Sequence, residues 1–160
     1  MKQISGSISL ASARYGVLGL PRMMEPQRAP SMDEPDQRTD ALATAVIGAA
    51  IEVHRSLGAG YLESVYEQAM AIEFAIRGID FARQPIFEVN YKGEPVGQDR
   101  LDFLVGGLLV VELKAVTELA PIHTAQVISY LKATGLKLGL LINFNVQVLS
   151  KGGIKRIIRS

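Results

Sequence analysis

The chain has no cysteine, which removes disulfide frameworks, thiolate zinc sites and cysteine nucleophiles from consideration. It has no excess of either charge. Lys and Arg number 17 against 16 Asp and Glu, a formal net charge of +1, so any surface suited to nucleic acid must be local. No apolar run approaches the ~20 residues of a membrane-spanning helix, and no contact with a membrane is expected. No internal repeat or low-complexity block interrupts the folded part. No serine–histidine constellation supports a small-molecule hydrolase. What remains is a 160-residue chain, 48% apolar, with room for one domain and a sizeable core. A reducing cytoplasm is the expected compartment.

Residues 1–38 differ from the rest. They hold Gly, Ser, Pro, Arg and Met without periodicity. Lys2 and the stretch from Ile4 to Ala13 faintly resemble a secretory start, but Ser5, Gly6, Ser7 and Ser9 break the apolar run. The expectation is a disordered tail over 1–38, with Met24 and Met32 as alternative starts, and a folded domain over 39–160.

The folded part reads as helix, helix, strand, strand, strand, helix, strand, strand. The first helix begins near Thr39 or Asp40, either a good N-cap. Leu42, Val46, Ala49, Val53 and Leu57 form its apolar stripe, and Gly58 and Gly60 end it. The second spans about Tyr61 to Arg77 with a core stripe of Leu62, Val65, Ala69, Ile72 and Ile76. Beside that stripe runs a second line of Glu63, Tyr66 and Met70, with Glu67 adjacent. Strands are expected at Ile86–Tyr91, Gln98–Val105, Leu108–Ala115 and Leu138–Phe144. A short strand pair, Val146–Ser150 and Ile154–Ile158, closes the chain. Pro121 opens the third helix and Gly135 closes it.

The hairpin at its centre carries the chemistry. It reads Arg-Leu-Asp-Phe-Leu-Val-Gly-Gly-Leu-Leu-Val-Val-Glu-Leu-Lys. Acid-x-Lys is common on solvated strand faces. Here, however, Leu108, Leu109, Val110 and Val111 precede Glu112 without alternation, the pattern of a strand covered on both faces. Placing an unpaired charge in such a strand costs several kcal/mol or more, on the order of what a whole domain gains in net stability. Glu112 and Lys114 share one strand face while Val111 and Leu113 share the other. Asp102, Glu112 and Lys114 together suggest a divalent-metal site with a charged helper. For the two acids to share a face, the plain two-residue turn at Gly106-Gly107 must be wrong, since it would place Asp102 opposite Val111. Either a three-residue loop, Gly106-Gly107-Leu108, or a bulge before Asp102 is required.

Further pairs fall in step with the hairpin: Glu63 with Tyr66, one turn apart, and Gln126 with Tyr130, also one turn apart. Arg156 lies in a late basic patch with Lys151, Lys155 and Arg159. In Gly60-x-x-Glu63-x-x-Tyr66, Arg100-Leu101-Asp102, Glu112-Leu113-Lys114, Gln126-x-x-x-Tyr130 and Asn143-Phe144, the chain resembles the GxxExxY family of the PD-(D/E)XK nuclease superfamily. The resemblance runs from about Asp40 to Arg159.

That resemblance implies a restriction-endonuclease-like α/β fold, a mixed sheet flanked by helices, over 39–160. It implies a Mg²⁺- or Mn²⁺-dependent nuclease that hydrolyses phosphodiester bonds of nucleic acid, with DNA as the expected substrate. Glu63, Asp102, Glu112 and the Leu113 carbonyl would hold the metal. Lys114 would orient or activate water, and Gln126, Tyr130, Tyr66 and Arg156 would bind or position the substrate. Tyr66 also reads as a packing residue, Gln126 and Tyr130 as a helix face bonded to the sheet, and Asn143-Phe144 as the shaping of a strand end. His54 reads as a helix C-cap and His123 as surface. A homodimer or a protein partner would supply targeting. The competing reading is a catalytically silent nuclease-fold module that binds nucleic acid or protein.

Overall fold

The computed structural model describes residues 34–160. The expected disordered tail falls almost wholly outside the described residues. Helix α1 (Gln37–Leu57) starts slightly earlier than expected, because Asp36 rather than Thr39 or Asp40 is its cap and accepts the Thr39 N–H at 2.8 Å. Helix α2 (Glu63–Arg77) follows, then β1 (Phe81–Arg83), β2 (Ile86–Tyr91), β3 (Glu94–Arg100), β4 (Phe103–Val105) and β5 (Leu109–Lys114). Helix α3 (Pro121–Thr134), β6 (Leu138–Asn143) and β7 (Ile154–Ile158) complete the chain.

Five strands form one mixed sheet in the order β1-β4-β5-β6-β7, and β2 and β3 form a separate two-stranded arm. Only the central β5–β6 pair is parallel, with α3 as its crossover; the other pairs are antiparallel. Helices cover both faces. On one side Leu109, Val111 and Leu113 of β5 meet Ala43, Val46, Ala50 and Val53 of α1 and Tyr66, Met70 and Phe74 of α2. On the other, Val110, Leu141 and Ile157 meet Val127, Tyr130 and Leu131 of α3. Phe74, Phe81 and Phe103 pack with ring centroids 5.2–5.7 Å apart beneath α2. Truncating one of them to alanine would cost about 3–5 kcal/mol. Gly139 lets α3 approach closely, since a Cβ there would lie 2.6 Å from Val127 Cγ1. Among the described residues no helix is long and apolar enough to cross a membrane.

The structure corrects the expected order in three places. Phe81–Arg83 is an additional strand at the sheet's edge. The single strand expected over Gln98–Val105 is two, β3 and β4, parted by a bend at Leu101-Asp102. Val146–Ser150 is a run of bends and turns rather than a strand, closed by bonds from Lys151 N–H to the Val148 carbonyl and from Gly153 N–H to the Leu149 carbonyl.

A fourth correction concerns α2. Leu62 is 76% exposed and Ile76 is 73% exposed, while Tyr66, Met70 and Phe74 are fully buried. The helix turns its second line inward because those larger side chains fill the space over Phe103 and Phe144. Two adjacent apolar lines have the same period, so spacing alone does not choose between them.

Candidate metal and catalytic site

The turn between β4 and β5 settles the hairpin register. Val105 pairs with Leu109, Leu104 with Val110 and Phe103 with Val111. The loop is therefore Gly106-Gly107-Leu108, closed by a 3.1 Å bond from Leu108 N–H to the Val105 carbonyl. Both glycines have positive φ, 58° and 70°, where a side chain would be strained. This is the three-residue alternative of the two the sequence required. One residue beyond Phe103 and Val111, the register brings Asp102 level with Glu112.

The strand pairing stops before that level. β4 begins at Phe103, so the Glu112–Lys114 end of β5 has no β4 strand beside it. Asp102 fills the gap with its side chain: its Oδ2 accepts the Leu113 N–H at 2.7 Å. In an extended strand the N–H and C=O of one residue face the same way, so the Leu113 carbonyl also faces the gap. Glu63 enters from the first turn of α2. Carboxylate oxygens of Glu63, Asp102 and Glu112 all lie within 4.8 Å of one another.

Glu112 is 4% exposed and has the most perturbed acid of the three. Burial, then a hydrogen bond and charge repulsion from Asp102, push its carboxyl up to about 9. Glu63 is also shifted upward, first by desolvation and then by the charge of Asp102. The Lys114 ammonium opposes both shifts, which places it near both acids. This donor set fits a divalent cation well: hard oxygen ligands converge at one point, and mutual repulsion there needs a counter-charge.

The elements that carry these groups are themselves pinned. Tyr66 is fully buried and its ring stacks on Phe144 at 4.5 Å. Its hydroxyl donates to the Gly58 carbonyl at 2.6 Å and accepts the Tyr61 N–H at 3.3 Å. Tyr66 thus fixes the loop from which α2 starts, and with it Glu63. Asn143 ends β6 level with Lys114. Its Oδ1 accepts the Val116 N–H at 3.0 Å and its Nδ2 donates to the Val116 carbonyl at 2.9 Å, which clamps the chain just after Lys114.

On α3, the Gln126 amide donates to the Tyr130 oxygen at 2.6 Å. Burial, then the charge of Glu112, raises the Tyr130 phenol well above its usual range. It stays protonated, and with its oxygen accepting from Gln126 the hydroxyl can act as a hydrogen-bond donor.

Other sequence candidates lie elsewhere. Arg156 pairs with Asp40 at the start of α1. It sits opposite Leu140 on the α1 and α2 face of the sheet, away from the α3 face that carries Glu112 and Lys114. His54 is a core residue, its Nε2 2.8 Å from the Val146 carbonyl. His123 caps α3 by accepting the Ala120 N–H on Nδ1 at 2.9 Å.

Sequence reasoning missed Gln84. It is one of two non-glycine residues with positive φ among those described, at 54°, a conformation that costs roughly 1–3 kcal/mol. The signal was Pro85, which breaks a strand pattern and restricts the residue before it.

A restriction-endonuclease-like sheet with a carboxylate triad and a lysine at the open end of its central hairpin defines a nuclease-type fold. Residues 40–157 match the PD-(D/E)XK nuclease superfamily, and the chain belongs to it. Among solved structures it is similar to an alkaline exonuclease (LHK-Exo) from Laribacter hongkongensis, at 15% identity and a TM-score of 0.44, over 81% of this chain and 73% of that one. It is also similar to the protein SSO0001, at 14% identity and a TM-score of 0.42, over 83% of this chain and 70% of that one. No curated protein matches the sequence.

Proposed function

We propose that the chain is a divalent-metal-dependent nuclease of the GxxExxY branch, acting on DNA. The observation that carries this reading is the convergence of Glu63, Asp102 and Glu112 within 4.8 Å beside Lys114. Glu63, Asp102, Glu112 and the Leu113 carbonyl would hold Mg²⁺ or Mn²⁺. The cation would make water a nucleophile at neutral pH and relieve charge on the phosphoryl oxygens.

The chain's own groups do the rest. Lys114 orients the attacking water and faces the negative charge that grows on the phosphate. Tyr130, kept neutral and aligned by Gln126, donates a hydrogen bond to a phosphate oxygen. Tyr66 positions Glu63 rather than touching substrate. Of the basic residues on β7, Lys155 shares the α3 face with Lys114 and bonds Thr124 at 2.9 Å. It is therefore better placed than Arg156 to meet the DNA backbone.

The test is cleavage of single-stranded, double-stranded and branched DNA with Mg²⁺, Mn²⁺ or EDTA, in the wild type and in Glu112→Ala and Lys114→Ala. Cation-dependent cleavage lost in both variants supports the reading. DNA binding without cleavage under every cation condition would overturn it in favour of a silent binding module.

A further inference from the structure

The β1–β2 segment and the β3–β4 segment form one long antiparallel ribbon that turns a corner. Arg83 pairs with Phe103, and Ile86 pairs with Arg100, three residues further along each strand. No residue is inserted on either side, so Gln84 lies opposite Asp102 and Pro85 opposite Leu101. Two backbone bonds cross the corner: Gln84 N–H to the Asp102 carbonyl at 2.9 Å, and Leu101 N–H to the Pro85 carbonyl at 3.2 Å. The corner comes from the left-handed backbone of Gln84 rather than from a bulge. A glutamine before proline remains in that conformation only when its surroundings hold it there.

What holds it is a buried carboxylate. Gln84 Nε2 donates to both oxygens of Glu67, at 3.0 and 3.1 Å. Arg83 donates to the same carboxylate at 3.1 Å and matches its charge. The link from Gln84 is itself neutral, and its Oε1 accepts a long 3.5 Å bond from Arg100. Glu67 is one turn along α2 from Glu63.

We propose that Glu67 and Gln84 form a positioning bracket that sets the approach of Glu63 and Asp102. Helix α2 carries Glu63 and Glu67 as one rigid unit. The ribbon corner carries Asp102 and Gln84 as another. The Glu67–Gln84 bonds join the two units, beside Arg83, which bonds both Glu67 and Gln68, so the distance between two carboxylates from different elements is set by contacts that touch neither. The proposal rests on the reading of the carboxylate cluster as a cation site.

Gln84→Gly tests it, because glycine adopts the left-handed turn freely and what is lost is the side chain's bonds to Glu67 and a long 3.5 Å bond from Arg100. Glu67→Gln is the conservative partner, since it keeps one acceptor for Gln84. The first readout needs no metal: amide exchange at Leu113, whose N–H is held by Asp102. Gln84→Gly should exchange about tenfold faster at Leu113 through local opening, while Leu140 and Ile142 keep their rates. The second readout is Mg²⁺ titration, where Gln84→Gly should bind about tenfold more weakly and Glu67→Gln should fall between it and the wild type.

Unchanged Leu113 exchange and unchanged Mg²⁺ affinity in Gln84→Gly would overturn the bracket. So would equal acceleration of Leu140 and Ile142, which marks a merely structural loss. Should Gln84→Gly not fold, the same two readouts on Glu67→Gln decide. A wild type that binds no Mg²⁺ sinks the cation reading, and Leu113 exchange then decides the bracket alone.

Discussion

The Asp102 carboxylate accepts the Leu113 backbone N–H at 2.7 Å and so stands in for the strand that β4 does not extend far enough to provide. One acid therefore completes the sheet and, in the proposed reading, also faces the cation, and substitution separates the two duties. Asp102→Asn keeps an acceptor for Leu113 and removes the charge. Asp102→Ala removes both and leaves a buried donor unmade, costing about 1–3 kcal/mol more in stability. Denaturant melts should rank wild type and Asn together above Ala, while thermal melts with Mg²⁺ should show stabilisation in the wild type alone. Equal melts for Asn and Ala would contradict the structural duty.

In the proposed site Glu112 would tie cation binding to pH. Its carboxyl rises from the ordinary 4.5 to about 9 in the folded, metal-free chain. Between those values the folded chain holds a proton that the unfolded chain has lost, so the metal-free fold loses stability as pH rises through that window. A cation must displace this proton, and its affinity should increase with pH over the same range. Calorimetry at pH 7 in buffers of different ionisation enthalpy should show about one proton released per Mg²⁺. A proton count near zero would mean that Glu112 is already ionised.

Lys114 and Glu112 should fail differently. Lys114→Ala removes a charge that competes with the cation, so Mg²⁺ binding should persist while turnover falls by about 10²- to 10⁴-fold. Glu112→Ala should lose both. Thermal melts in EDTA and in millimolar Mg²⁺, set beside cleavage rates, read the two effects separately. Loss of Mg²⁺ binding in Lys114→Ala would count against the division.

Tyr66→Phe keeps the stack on Phe144 but deletes the bonds to Gly58 and Tyr61. The expected cost is about 1–2 kcal/mol in a urea melt, together with weaker Mg²⁺ binding because the start of α2 is loosened. Tyr66→Ala should cost about 3–5 kcal/mol. A Phe variant that matches the wild type in both measurements would make the hydroxyl idle.

The hairpin register was legible in advance because chemistry demanded it: two acids on one face exclude a two-residue turn, and the three-residue Gly106-Gly107-Leu108 loop is what forms. The acid–lysine strand, α3 and the start of β6 were legible from unbroken apolar runs and from Pro121 and Gly135. The inward face of α2 was not, because Tyr66-Met70-Phe74 and Leu62-Val65-Ile72 have the same helical period and differ only in what the sheet offers them. Nor was the corner at Gln84. Its conformation opposes local preference, and its side chain bonds Glu67, 17 residues earlier in the chain. Asn143 was seen as a strand end, but its clamp on Val116 joins residues 27 apart.

The proton that burial leaves on Glu112 also decides how the finished site looks to an approaching anion. Without a cation, three carboxyl groups, Glu63, Asp102 and Glu112, converge within 4.8 Å, an arrangement that does not favour phosphate. Once a divalent cation has displaced that proton, three carboxylates, one ammonium and the cation balance to no formal charge. In the proposed nuclease a phosphate backbone would then meet an opening without formal charge, and the charge count favours one order of events: metal first, phosphate second.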